Sequence, residues 1–294
     1  MDAGAVTSLR ASFRQSMFSN SKTRFLPGAA VCFVLLVICY VALVCTDWGH
    51  RLDDAAYMAH DGFSRPLMAL DVGLLEQVSL GTIIGAAGVL FLISILRRSL
   101  TVGVIVVAGF FTAVLGAEAL KEVLPWRALV PEDAMLEEGM QLGTFPSGHA
   151  TIATAFGLGL LLVWPARWRS WSAVIAGILS SLFASGVVFA AWHRASDALG
   201  ALAWSGICMN LAAAIAVRLE GRPAIGGARP RLSGSVVLGI VLLVAFFLVA
   251  ATAAPQHPVR DLPFFLLIGL IIVSSFTLTA WYSRQLEAVD FSRS

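Results

Sequence analysis

Apolar residues along the 294-residue chain gather into eight long stretches separated by short polar joints. A bilayer hydrocarbon core about 30 Å thick takes roughly 20 apolar residues of helix. The stretches at 27–45, 77–96, 100–120, 147–165, 172–192, 198–217, 234–254 and 263–283 are all near that length and predict eight transmembrane helices. The first is too long for the core of a signal peptide, and no small-residue cleavage site precedes Trp48, so it is expected to stay as a span. The expected fold is therefore all-α and integral to the membrane.

The joints differ in kind. Residues 97–99 make spans two and three a tight helical hairpin, whereas 46–76 and 121–146 are long loops. Residues 218–233 are basic and rich in Pro and Gly, and they read as a linker between a six-span core at 27–217 and a two-span hairpin at 234–283. A 1–26 segment precedes the core and a 284–294 tail follows the hairpin. No internal repeat suggests the inverted halves of a transporter.

Composition agrees with the pattern. The chain is 58% hydrophobic and 13% charged, with a mean hydropathy of +0.84. Soluble domains have roughly 45–50% apolar and about 25% charged residues, so a water-soluble enzyme, a disordered chain and a nucleic-acid binder are poor fits. The net charge of +2 says less than its placement, because 14 of the 20 Lys and Arg residues fall on the side that holds both termini. Since cytoplasmic loops collect Lys and Arg, both termini are expected in the cytoplasm of a multi-pass cell-membrane protein. Cys32, Cys39, Cys45 and Cys208 lie inside apolar runs and read as small core side chains, with no disulfide framework and no metal-ligand spacing.

The five histidines, His50, His60, His149, His193 and His257, all fall on the opposite, outer side. His149 closes the segment Phe145-Pro146-Ser147-Gly148-His149, which opens the fourth span. Pro146 stops the incoming loop, Ser147 suits an N-cap, and Gly148 lets a ligand approach backbone amides. A helix start of this kind accepts anions, although a plain capped helix with an interfacial histidine uses the same residues. His193 and Asp197 stand four apart between spans five and six, so the carboxylate can accept from imidazole Nδ1 and fix the tautomer. That leaves Nε2 as a nucleophile or base. Lys121 ends span three and Arg127 follows six residues later, either as phosphate ligands or as cations snorkelling to headgroups. Half of the six outer-side basic residues, counting Arg194, belong to these clusters.

In these blocks the sequence resembles the type 2 phosphatidic acid phosphatase superfamily of membrane lipid phosphatases. The family pattern is Lys-x6-Arg-Pro, then Pro-Ser-Gly-His, then Ser-Arg-x5-His-x3-Asp. Residues 146–149 complete the second block, and His193 and Asp197 stand in the third, with 43 residues between His149 and His193. The resemblance covers about 27–217. It departs at Arg127, one residue early and followed by Ala128, and at Gly186 and Val187, which replace Ser-Arg.

The resemblance implies a six-helix phosphatase-like core and a two-step phosphoryl transfer that needs neither metal nor cofactor. His193, oriented by Asp197, would attack phosphorus, and His149 would protonate the leaving oxygen. Lys121, Arg127, Arg194 and the backbone at Ser147 and Gly148 would bind phosphate. The expected substrate is an amphiphilic lipid phosphate, either a polyprenyl diphosphate or a phosphatidyl phosphate, met at the outer face. A phosphotransferase or a non-catalytic lipid-binding protein on the same scaffold are the alternatives. The acidic run at 132–138 reads either as a mobile cover or as an ordinary solvated loop.

The topology makes a direct prediction. In a cysteine-free background and intact cells, an impermeant thiol reagent should label Gln256→Cys and spare Gly226→Cys. The reverse pattern would overturn the orientation.

Overall fold

The structure is a computed structural model that describes residues 24–58, 72–73, 75–124, 144–223, 241–242, 245 and 262–291. Helices α1 (Arg24–Cys45), α2 (Asp47–Met58), α3 (Leu80–Leu96), α4 (Leu100–Val123), α5 (Gly148–Val163), α6 (Arg169–Phe189), α7 (Ala195–Glu220) and α8 (Leu262–Gln285) account for most of them. A two-residue antiparallel pair, β1 (Arg222–Pro223) with β2 (Val289–Asp290), is the one sheet among the described residues.

Five of these helices, α1, α4, α6, α7 and α8, are long and apolar enough to cross a membrane, as expected of a multi-pass membrane protein. The α3 and α5 helices, at 17 and 16 residues, are shorter than the stretches that predicted them. Their ends explain this. Ser79 and Thr82 form a capping box that starts α3 at residue 80, three residues late. Extended backbone at Trp164 before Pro165 stops α5 at Val163. The expected span at 234–254 lies outside the described residues except at 241, 242 and 245. The eight-span count therefore reduces here to seven apolar helices among the described residues.

At the centre stands α7, with 83% of its apolar window buried against 28% for α1 and 33% for α4. Its sequence explains the difference, because Ala, Gly and Ser recur on every face and let several helices approach at once. Neighbouring helices answer with small residues of their own. A Cβ on Gly109 of α4 would lie 2.7 Å from Ala212 of α7, and one on Gly157 of α5 would lie 2.9 Å from Ala176 of α6. By contrast, α1 turns Phe33, Val34, Leu35, Val37 and Ile38 outward, the surface that lipid would cover.

The β1–β2 pair joins the chain just after α7 to the chain just after α8, so these two helices run in the same direction. That end of the bundle is held by two arginines. Arg97 donates to the last carbonyls of α5, Val163 and Trp164, at 2.9 and 3.1 Å, and pairs with Asp290 at 2.6 Å. Arg169 is fully buried and donates to the carbonyls of Leu286 and Val289. A cation at a helix C-terminus satisfies carbonyls that the helix cannot.

The other end carries the candidate site. The expected loop at 46–76 is in part the helix α2, which packs on α7 and α8. Close packing there also depends on Gly200 of α7, where a Cβ would sit 2.4 Å from the Phe145 ring. Gly200→Ala should therefore displace the segment entering α5 and cost about 1–3 kcal/mol, as overpacking does. Thermal unfolding in detergent measures it, and an unchanged midpoint would contradict the packing.

Candidate active site

The chain enters α5 through a cis Phe145–Pro146 peptide, and Ser147 caps the helix. Its Oγ accepts the Ala150 N–H at 3.5 Å, and its own N–H donates to the Asp197 carbonyl at 3.0 Å. The Ser147 amide, expected to meet phosphate, is thus engaged in holding α5 against the start of α7, while the hydroxyl caps α5 itself. The first-turn amides of Gly148 and His149 remain as donors that the helix itself does not use.

Two long side chains of α4 lie over Gly148. A Cβ there would be 2.8 Å from Glu118 Oε1 and 3.6 Å from Lys121 Nζ, which places the last turns of α4 across the start of α5. Lys121 donates to Glu118 at 2.8 Å and is partly exposed. The His149 ring packs edge-on against Trp192, with centroids 5.3 Å apart, and bonds the backbone of Leu75. His193 and Lys121 are both within electrostatic range of it.

His193 is placed differently from the sequence expectation of a helical i, i+4 pair. The α6 helix ends at Phe189, and Ala191 adopts φ 55°, so the chain turns sharply before α7. The Val187 carbonyl accepts both the Trp192 and the His193 N–H at 3.0 Å. Val187, the residue at the family's arginine position, is fully buried; its hydrocarbon side chain brings no charge, but its backbone holds the turn. His193 stands just outside α7. Its Nδ1 lies 3.1 Å from Asp197 Oδ2, which leaves Nε2 as the lone-pair nitrogen. The same Oδ2 accepts the Arg194 N–H at 3.1 Å, so a single buried oxygen orients the imidazole and closes the turn.

The Arg194 guanidinium is engaged elsewhere than at the expected phosphate. Its Nε donates to Asp54 Oδ1 at 2.6 Å, and its Cζ lies 5.6 Å from the Tyr57 ring centroid. Burial opposes its charge, yet Asp54, with Asp197 and Asp53 behind it, outweighs burial and moves the pKa up. Tyr57 donates to the Ala191 carbonyl at 2.9 Å, and Asp53 accepts the Ser196 N–H at 3.1 Å. The sequence reading missed these α2 residues. The one available signal was the spacing of His50 and Asp54, four apart like His193 and Asp197; their side chains lie 3.6 Å apart. Arg127 and the acidic run at 132–138 lie outside the described residues.

Lys121, two helix-start amides, His149 and an Asp-oriented His193 thus meet at one end of an apolar helix bundle of the kind an integral membrane protein has. The family model described as the PAP2 superfamily matches residues 99–220, from the start of α4 to the end of α7. Over these residues the chain is similar to that superfamily, a likeness that suggests phosphatase-type activity on phosphate esters. No curated protein and no solved structure matches the chain.

Asp53 yields a pH prediction. Burial, reinforced by the nearby Asp197, pushes its carboxyl up to about 7 despite its bond to Ser196. An unfolded carboxyl titrates near 3.9, so between about pH 4 and about pH 7 the folded state binds the extra proton. Stability should fall as pH rises through that window and level off above it. Unfolding midpoints measured across it should lose that slope in Asp53→Asn, and an unchanged slope would count against the assignment.

Proposed function

We propose that this chain is a lipid phosphate or lipid diphosphate phosphatase that works through a phosphohistidine at the extracytoplasmic face. The observation that carries the reading is the 3.1 Å contact of His193 Nδ1 with buried Asp197, beside Lys121 and the open amides of α5. The six-span core at 27–217 would carry the chemistry. His193 Nε2 forms a bond to phosphorus as the bond from phosphorus to the lipid oxygen breaks, and His149 delivers its proton to that oxygen. Water then attacks the phosphohistidine and gives up a proton to His149. The P–N bond breaks, which frees inorganic phosphate and His193. Lys121, Arg127 and the Gly148 and His149 amides bear the phosphate charge. These residues perform the chemistry with no cofactor.

A lipid substrate fits the surroundings. Ile152 and Phe156 continue down the α5 face that carries His149 and line an apolar groove of about 230 Å³ with Thr82, Ala86, Leu179 and Phe183. A hydrocarbon chain there leaves its phosphate at the bundle end. The larger groove, about 650 Å³ between α1, α7 and α8, involves Leu199, Leu202 and Ala203, on a different face of α7 from Ser205, which bonds the Thr151 carbonyl of α5. The site's outward orientation rests on the distribution of Lys and Arg. Buried, uncharged Val187 favours a second reading, a non-catalytic lipid-binding protein.

Phosphate release from a panel of phosphatidyl and polyprenyl phosphates separates the two. Purified wild type should turn over in the presence of EDTA and be inhibited by vanadate. His193→Ala should lose at least about 10³-fold, as removal of a nucleophile does. Asp197→Asn should lose about 10²–10⁴-fold by releasing the imidazole from its tautomer. An inactive wild type would leave the lipid-binding reading, and loss of turnover in EDTA restored by Mg²⁺ would overturn the mechanism.

A further inference from the structure

The helix that carries Asp197 lacks a cap of its own. At the N-cap position of α7 stands Arg194, whose side chain has no acceptor to offer the first-turn amides. Asp197 accepts the Arg194 N–H and so closes the turn from inside, but the Ser196 amide, one residue before Asp197, points away from α7. It is received by a residue 143 positions earlier in the chain, Asp53 of α2, through Oδ1 at 3.1 Å. Asp53 is fully buried, and so is Ser196. The adjacent residue of the same helix, Asp54, takes the Arg194 Nε, and Tyr57, one turn on, holds the Ala191 carbonyl. Three side chains of α2 therefore grip residues 191, 194 and 196, on both sides of His193 in sequence. The gripping helix lies outside the residues that match the family.

We propose that Asp53 and Asp54 of α2 are positioning residues for His193 and Asp197: Asp53 caps α7 from outside that helix, and Asp54 fastens the Arg194 guanidinium. Neither touches the phosphate. A carboxylate oxygen at a helix start satisfies an amide that would otherwise be buried unpaired. Here that amide adjoins the residue that sets the His193 tautomer. Arg194 in this arrangement is a loop anchor, and its charge is spent on Asp54. Displacement of the 191–197 turn by a fraction of an ångström would move Nε2 out of line with phosphorus, whereas the Lys121 and α5 contacts that bind the phosphate would persist. The consequence is a loss in kcat with KM retained.

The inference rests on the phosphatase reading for its kinetic arm only, so the test has two arms. The first measures kcat and KM for phosphate release by wild type, His193→Ala, Asp53→Ala, Asp53→Asn, Asp54→Ala, Arg194→Ala and the Asp54→Ala/Arg194→Ala double variant. The second follows amide hydrogen exchange of the full-length protein in detergent, in peptides covering 190–198 and 147–156. Asp53→Ala should lower kcat by roughly tenfold to a hundredfold with KM changed by less than about twofold. Asp53→Asn keeps an acceptor oxygen and should restore most of that loss. Asp54→Ala, Arg194→Ala and the double variant should lose the same factor, because a single pair is being broken. Exchange should rise in 190–198 for Asp53→Ala, stay protected for Asp53→Asn, and remain unchanged in 147–156.

Wild-type rates and exchange in Asp53→Ala would overturn the proposal. So would exchange rising equally in both peptides, which marks general unfolding, or a further loss in the double variant beyond either single one, which would return Arg194 to the phosphate. If wild type releases no phosphate, the phosphatase reading fails alone. Selective exchange at 190–198 in Asp53→Ala would then still uphold the positioning role, and its absence would end it.

Discussion

Everything at the site end depends on Asp197. Its Oδ2 orients His193 and receives the Arg194 amide, and its main-chain carbonyl receives the Ser147 amide. One residue thereby fixes the histidine, the turn that carries it and the spacing between the starts of α5 and α7. Because Asp197 is almost completely buried, each of these bonds forms in a low dielectric, where geometry is held tightly and a missing partner is costly. The small residues of α7 serve the same end. They let α4, α5 and α6 close around the helix, so the polar groups at its start converge instead of splaying into solvent.

The two ends of the bundle solve the same physical problem with opposite charges. At the far end Arg97 and Arg169 reach carbonyls that helix and strand ends leave open. At the site end Asp53 reaches an amide that α7 leaves open. In both cases an ionisable side chain from a distant element finishes a helix whose own sequence provides no cap. Tethering by distant elements makes each helix end a product of tertiary structure, so its position is as rigid as the packing around it. On the proposed phosphatase reading this matters, since phosphoryl transfer asks chiefly for alignment and charge.

Much of this was legible in sequence, and the reason is spacing. Apolar length located seven of the helices to within a few residues, because burial in a bilayer leaves a long uninterrupted record. Pro146-Ser147-Gly148-His149 revealed a helix start, and the four-residue interval from His193 to Asp197 revealed their pair. The failures are of two kinds. Local ones concern ends: the α3 capping box and the Trp164–Pro165 stop shortened two helices, and the left-handed Ala191 took His193 off the helix. The others are long-range. Asp53 and Asp54 sit in a polar stretch indistinguishable from a solvated loop, and their partners lie some 140 residues away. No periodicity records such a contact. Arg194 shows the consequence, since proximity to His193 in sequence suggested a phosphate ligand, while its nearest anion in space is Asp54.

Val187 sharpens the point. The family pattern places arginine there, and a buried valine removes that charge from the third block. Its carbonyl nevertheless accepts two consecutive amides, those of Trp192 and His193, a role open to any residue with a main chain. The position thus carries two separable duties, a backbone duty of holding the turn and a side-chain duty of supplying charge, and this chain keeps the first. On the proposed phosphatase reading, loss of the second shifts the electrostatic load onto Lys121, Arg127 and the amides of Gly148 and His149, of which the two amides are fixed by helix packing. A site neutralised in part by rigid dipoles depends more on alignment than one with a further guanidinium that can follow its anion. That dependence gives α2 its significance, because it is the element that clamps the turn on which alignment rests.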